Sequence, residues 1–188
     1  AACLNAALEV ETATEAVNLE KLAQKHDIEP VILHAWLACL GLDGGQPTIE
    51  GYITKQTEQI QNYDFVKGWV GEQALSVVAN ASDQGVRIPG EMLPHHVAVH
   101  PTPQRRVIIG WKSPMTGTVN VKGAVRRAHI GCGNGVDWRL ELWRGNTRQM
   151  LASGNATTRE ASPVEIKEPL KVRTGDMLLL GIGPRDGN

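Results

Sequence analysis

The chain has 188 residues, with 19 basic and 20 acidic side chains and a formal net charge of −1. That balance excludes the strong one-signed field of a nucleic-acid or anionic-membrane binder. No apolar run reaches membrane-spanning length, and the length suits one β-sandwich with a substantial core plus a small appendage.

Residues 1–42 read as helices. Leu4, Ala6, Ala7, Leu8 and Val10 form a first apolar stripe, and Leu19, Leu22 and Ala23 form another after a break near Asn18. A third helix starts around DIEP, where Asp27 is placed to cap and Pro30 suits a first helical turn. Val31, Leu33, Ala35, Trp36, Leu37 and Leu40 are its apolar residues, with Trp36 expected to dock the helix, and Gly41 is a natural stop. Cys3 and Cys39 are expected to pack on these helices as small apolar residues. LAQKHDIEPVILHAWL has the outline of a helix-turn-helix. Its second helix offers only His34 for phosphate or base contact, so no nucleic-acid partner is expected.

From about residue 48 the texture becomes short β-like runs between Gly, Pro, Asn and Asp. Strands are predicted at 48–54, 77–79, 86–88, 96–100, 107–111, 117–128, 136–143, 148–153, 164–166 and 177–182. The expected fold is mainly β, an antiparallel β-sandwich or jelly roll preceded by a small N-terminal α-helical segment. The boundaries are 1–45 for the helical segment and 46–188 for the sandwich. MLLLGI, residues 177–182, is apolar on both faces and should lie inside the sandwich beside 119–125 or 140–143.

GVDWRLELWRG raises the functional question. Val136, Trp138, Leu140 and Leu142 share one strand face, and Asp137, Arg139, Glu141 and Trp143 share the other. Trp69, Trp111 and Trp138 are expected in the core. Trp143 with Arg139, Glu141 and Arg148 offers a ring for a pyranose face and charged groups for its hydroxyls, a candidate glycan site. The competing reading packs Trp143 beneath another element or domain. Asn134, Asp137 and Asp186, with Asn188, are loop-borne oxygen donors and make calcium the candidate ion, against plain turn chemistry. His95, His96, His100 and His129 invite zinc, but ligands four residues apart on a strand stand roughly 13 Å apart. No nucleophile elbow, zinc-protease helix or paired-carboxylate signature occurs, while carboxylates from distant parts of the chain could still pair across a cleft, so hydrolysis stays open at this point.

Several longer stretches resemble one family: YDFVKGW (63–69), VANASDQGVRIPG (78–90), HHVAVHPTP (95–103), VIIGWKSPMTGTVNVKG (107–123), GNGVDWRLELWRG (133–145) and LLLGIGPRDGN (178–188). They are similar to a jelly-roll, carbohydrate-binding-type module of large secreted planctomycete proteins that also carry a cytochrome-c-like domain. LAQKHDIEPVILHAWLACLG (22–41) resembles the segment preceding that module. The resemblance implies a non-catalytic binding module of an extracytoplasmic, periplasmic or secreted, multi-domain protein. Its partner would be a glycan or another domain or subunit of its parent, and haem would belong to other domains. Chain ends at AACLNAALEV and GPRDGN are then expected to be internal to the parent. The resemblance also implies a final strand after Asn188, bringing a cysteine to Cys132 in the loop IGCGNG.

Overall fold

A computed structural model describes residues 1–13, 17–43, 51–88, 90–131 and 133–187. Cys132, Asn188 and residues 48–50 of the first predicted strand lie outside the described residues. The fold is mainly β, built from antiparallel sheets of β-sandwich type behind three N-terminal helices.

Helices α1 (Ala2–Thr12), α2 (Leu19–Lys25) and α3 (Pro30–Cys39) close around a core of their own, made of Ala6, Ala7, Leu22, Ala23, Leu33, Leu37 and Leu42. The break at Asn18 is an N-cap: its Oδ1 accepts from the Lys21 N–H at 2.9 Å. Pro30 opens α3 as predicted. Asp27 does not cap it; Glu29 holds that position, without a side-chain bond, and Asp27 sits in the preceding turn at φ 53°. Gly41, at φ 65°, ends α3. The Leu42 N–H reaches back to the Leu37 carbonyl at 2.7 Å and the Gly41 N–H to Ala38 at 3.1 Å, a Schellman termination. On α1, Glu9 bonds Lys25 and His26, tying α1 to the end of α2.

Trp36 is not the docking residue of α3. It is 44% exposed, whereas Leu33 and Leu37, one turn apart, are fully buried. The helix is apolar nearly all round, so its pattern alone does not choose the stripe that faces inward. Ile32, Trp36 and Leu40 form a second stripe at the same spacing, left in solvent. Cys39 is exposed as well, and Cys3 half-buried; both are free thiols, and only Cys3 is partly packed in the way expected.

Fourteen strands are described: β1 (Gln56–Thr57), β2 (Val66–Val70), β3 (Ser76–Asn80), β4 (Val86–Ile88), β5 (Gly90–Met92), β6 (Val97–His100), β7 (Val107–Lys112), β8 (Gly117–Val119), β9 (Lys122–Val125), β10 (Val136–Arg144), β11 (Thr147–Ala156), β12 (Ser162–Glu165), β13 (Leu170–Val172) and β14 (Met177–Pro184). One four-stranded sheet has the order β1-β2-β3-β6 and the other β11-β10-β14-β7. Three two-stranded ribbons complete the set: β12-β9, β13-β8 and β4-β5. The long run predicted at 117–128 is broken into β8 and β9. Strands β1, β2, β5 and β13 are not among the predicted runs, and residues 51–54 of the first predicted run are not in a strand. In β2 the alternation is interrupted by Gly68, whose position lies so close to the Val77 carbonyl that a side chain would collide with it.

Two cores hold the β part together. Trp138, Leu140 and Ile182 meet Val125, Ala156 and Val164, with Val99 of β6 and Val121 packed against them. Val66, Val78, Val86 and Met92 form the other. Trp138 is 4% exposed and its indole N–H donates to Ser162 Oγ at 3.0 Å, so the ring is buried with its one polar atom satisfied. Strand β14 is interior, with β10 on one side and β7 on the other. Residues 140–143 are therefore its neighbours, and 119–125 are not. Buried Asp176, at the turn into β14, takes the Arg144 guanidinium at the end of β10. Its backbone also binds Ser113, just beyond β7. That ion pair and turn fix the three strands at one end.

Candidate functional site

The outward face of β10 brings all four candidate glycan-site residues together. Arg139 Nε lies 2.9 Å from Glu141 Oε1. The Trp143 indole N–H donates to Glu141 Oε2 at 2.7 Å. Arg148 is directly across from Trp143 in the β10–β11 register, and its guanidinium stacks 3.9 Å above the ring centroid. Local sequence explains the arrangement. Period-two alternation sets the three β10 side chains side by side, and the Arg144–Thr147 hairpin returns Arg148 to the same face. A bulge between Leu140 and Glu141 shifts the β11 register, so Glu141 faces Met150.

This layer is largely self-satisfied. Both Glu141 oxygens are engaged, Trp143 is half-buried, and one indole face is covered by Arg148. A pyranose stacking on Trp143 would first have to displace that guanidinium. Glycines of β14 make room for the charged side chains. Gly181 lies opposite Arg139, whose Cγ passes 3.6 Å from where a Cβ would stand, and Arg106 crosses Gly183 to reach Asp137. Leu179 fills the remaining floor, leaning over Gly110.

The calcium candidates are divided. Asn134 Nδ2 donates to Asp186 Oδ2 at 3.3 Å, and Arg185 stands 3.6 Å from the same carboxylate. Asp137 is instead paired with Arg106. What remains is one carboxylate beside an amide, whereas calcium takes about six to eight oxygens. Among the described residues no group of three or more His, Cys, Asp or Glu side chains is gathered for a metal. His95 bonds Asp83 and His96 bonds the Pro94 carbonyl, so these two imidazoles are engaged separately. His129 is half-buried on the loop after β9.

The structure also displays residues that the sequence placed in the core. Trp69 is 44% and Trp111 41% exposed. Trp111 lies on β7, which ends its sheet. Every residue of β7 after Val107 is exposed, including Ile108 on one face and Ile109 and Trp111 on the other. The signal was present in the sequence: VIIGWK is apolar at both parities, the pattern of a strand covered on both sides. Only the topology reveals that one side of it has no described strand. Ile32, Trp36 and Leu40 on α3, with Leu4 and Leu8 on α1, form further exposed apolar surface.

No protein-family model, curated protein or solved structure matches the chain.

Proposed function

We propose that the chain is a non-catalytic β-sandwich interaction module that docks an extended apolar segment of another domain or subunit along the free edge of β7. One observation carries this: a six-residue edge strand whose apolar side chains after Val107 are exposed on both faces. Alternate residues of an antiparallel edge strand turn their N–H and C=O groups outward, and no described strand takes them up. Natural proteins blunt such edges with proline, inward charges or covering elements. Here β7 has no proline, and its one charge, Lys112, stands at its end. Outward backbone groups flanked by Ile108, Ile109 and Trp111 match the chemistry of an added strand. The exposed stripes on α1 and α3 support the same class of role. The setting would be the extracytoplasmic multi-domain protein implied by the sequence resemblance, with this module as a structural part of its assembly.

The test is photo-crosslinking in the intact parent protein, with a crosslinking amino acid at Ile108 or Trp111 and a control at exposed Glu160. The reading expects both β7 positions to label one and the same segment. Labelling no greater than at Glu160 refutes it.

A second reading has an observation of its own. Trp143, Glu141, Arg139 and Arg148 form a pre-organised aromatic and charged layer of the kind that binds glycans. Glycan-array binding by the chain, lost in Trp143→Ala, would favour it over β7 docking.

A further inference from the structure

The β4–β5 hairpin belongs to one core and the β9 segment to the other, and they are stitched together by the backbone. The Glu91 N–H donates to the Ala128 carbonyl at 3.0 Å, and Arg126 Nη2 donates to the Glu91 carbonyl at 3.3 Å. Gly90 makes the approach possible, since a Cβ there would stand 3.0 Å from Ala128 backbone atoms. Beside this seam lies a cavity of about 420 Å³ whose walls include Tyr63, Arg87, Glu91, His129 and Arg159. Small-molecule clefts span roughly 300–1,000 Å³, so one sugar-sized molecule fits.

Charge in this cavity is uncompensated. Arg87 and Glu91 are direct cross-strand partners. The Glu91 carboxylate nevertheless goes to Arg126, 3.3 Å away. Among the described residues neither Arg87 nor Arg159 has an ion-pair or side-chain hydrogen-bond partner. The His129 ring is also without one, its Nδ1 being buried and unsatisfied. The loop bearing His129 is held from behind: Arg127 donates to the carbonyls of His129, Ile130 and Thr157 at 3.0–3.1 Å, and to that of Gly133. Those acceptors are thereby occupied, and the wall is fixed. Two forked guanidinium groups beside a concave space are the groups that take an oxyanion with paired hydrogen bonds. The concave walls concentrate their field.

We propose that this cavity is a binding subsite for a small organic anion, one that presents a carboxylate or a phosphate to Arg87 and Arg159. The site is separate from the Trp143 layer and from the β7 edge, and its ligand would be recognised by charge first.

The experiment is isothermal titration of the whole chain with galacturonate, galactose 6-phosphate and neutral galactose, at low and high salt. The comparison proteins are the double variant Arg87→Gln/Arg159→Gln and the control Arg148→Gln. Both replaced arginines are exposed and, among the described residues, unpaired, so the double variant should keep its melting temperature, which a parallel scan verifies. Saturable binding of at least one anion, weakened by salt and at least about tenfold weaker in the double variant only, is the expected result. Preference for galacturonate identifies a carboxylate ligand, and preference for the sugar phosphate a phosphate ligand. The proposal is overturned if neither anion binds below about 10 mM. It is equally overturned if galactose binds as well as the anions, or if the double variant binds unchanged.

Discussion

Asp176→Ala is the substitution expected to damage the fold most for its size. The Asp176 side chain is 4% exposed and pairs with the Arg144 guanidinium, itself only 19% exposed. Arg144 Nε reaches both carboxylate oxygens at 3.1 Å, Arg144 Nη2 reaches Oδ2 at 2.7 Å, and the Arg173 N–H donates to Oδ2 at 2.8 Å. Truncation leaves a mostly buried guanidinium and a backbone N–H without their acceptor. Breaking one side of a buried pair costs about 3–5 kcal/mol. For a chain of this length each kcal/mol moves the midpoint by about 2–4 °C, so the melting temperature should fall by about 6–20 °C. Chemical denaturation followed by tryptophan fluorescence, with a parallel thermal scan, measures both. The loss should hardly change between low and high salt, because the pair is shielded from counterions. A loss below about 1 kcal/mol would place Asp176 in solvent and refute the pinning of β7, β10 and β14 at this end.

Three further outcomes are expected. Leu140→Ala should cost about 2–5 kcal/mol in denaturant titration, as a core truncation does, and a loss under about 0.5 would turn β10 inside out. Gly41→Ala should lower the melting temperature, because φ is 65° there and a Cβ would stand 2.6 Å from Thr147 Oγ1 and 2.7 Å from the Arg144 carbonyl; an unchanged melt would show that the helical segment does not rest on the β10–β11 hairpin. Hydrogen bonds from Lys25 and then His26 hold the Glu9 carboxyl below its ordinary range. A depressed carboxyl stabilises the fold above its unfolded pKa and loses that contribution as pH falls through the folded value. Acid titration of helical circular dichroism should therefore show α1 loosening below the ordinary carboxylate range, with Glu9→Gln flattening that part of the curve.

The legible parts of the fold were those where one physical signal acts locally. Period-two alternation placed Trp138, Leu140 and Leu142 inward and Trp143 outward, and the structure has them so. Pro30 and Gly41 mark the ends of α3 by backbone preference alone. The double-sided apolarity of residues 177–182 correctly indicated a strand with neighbours on both sides. The same reasoning failed for Trp111, because VIIGWK carries the same signal as MLLLGI and strand order is a long-range property. It failed for Trp36 because an apolar helix has no polar face to orient it. In the candidate site, the four residues around Trp143 could be gathered by register. That Arg148 would cover the ring could not, since its place depends on the hairpin and the bulge. The cavity beside β4–β5 draws on residues 63 to 159, and no spacing in the sequence brings Arg87, His129 and Arg159 together.

Hydrogen exchange at β7 tests the central claim most directly. In the isolated chain, the amides of β7 that face β14 should be protected and the alternate, outward amides should exchange freely. In the multi-domain parent protein proposed above, the outward amides of β7 should become protected too, as they would when an added strand takes them up. Outward amides that exchange as fast in the parent protein as in the isolated chain would contradict docking along this edge.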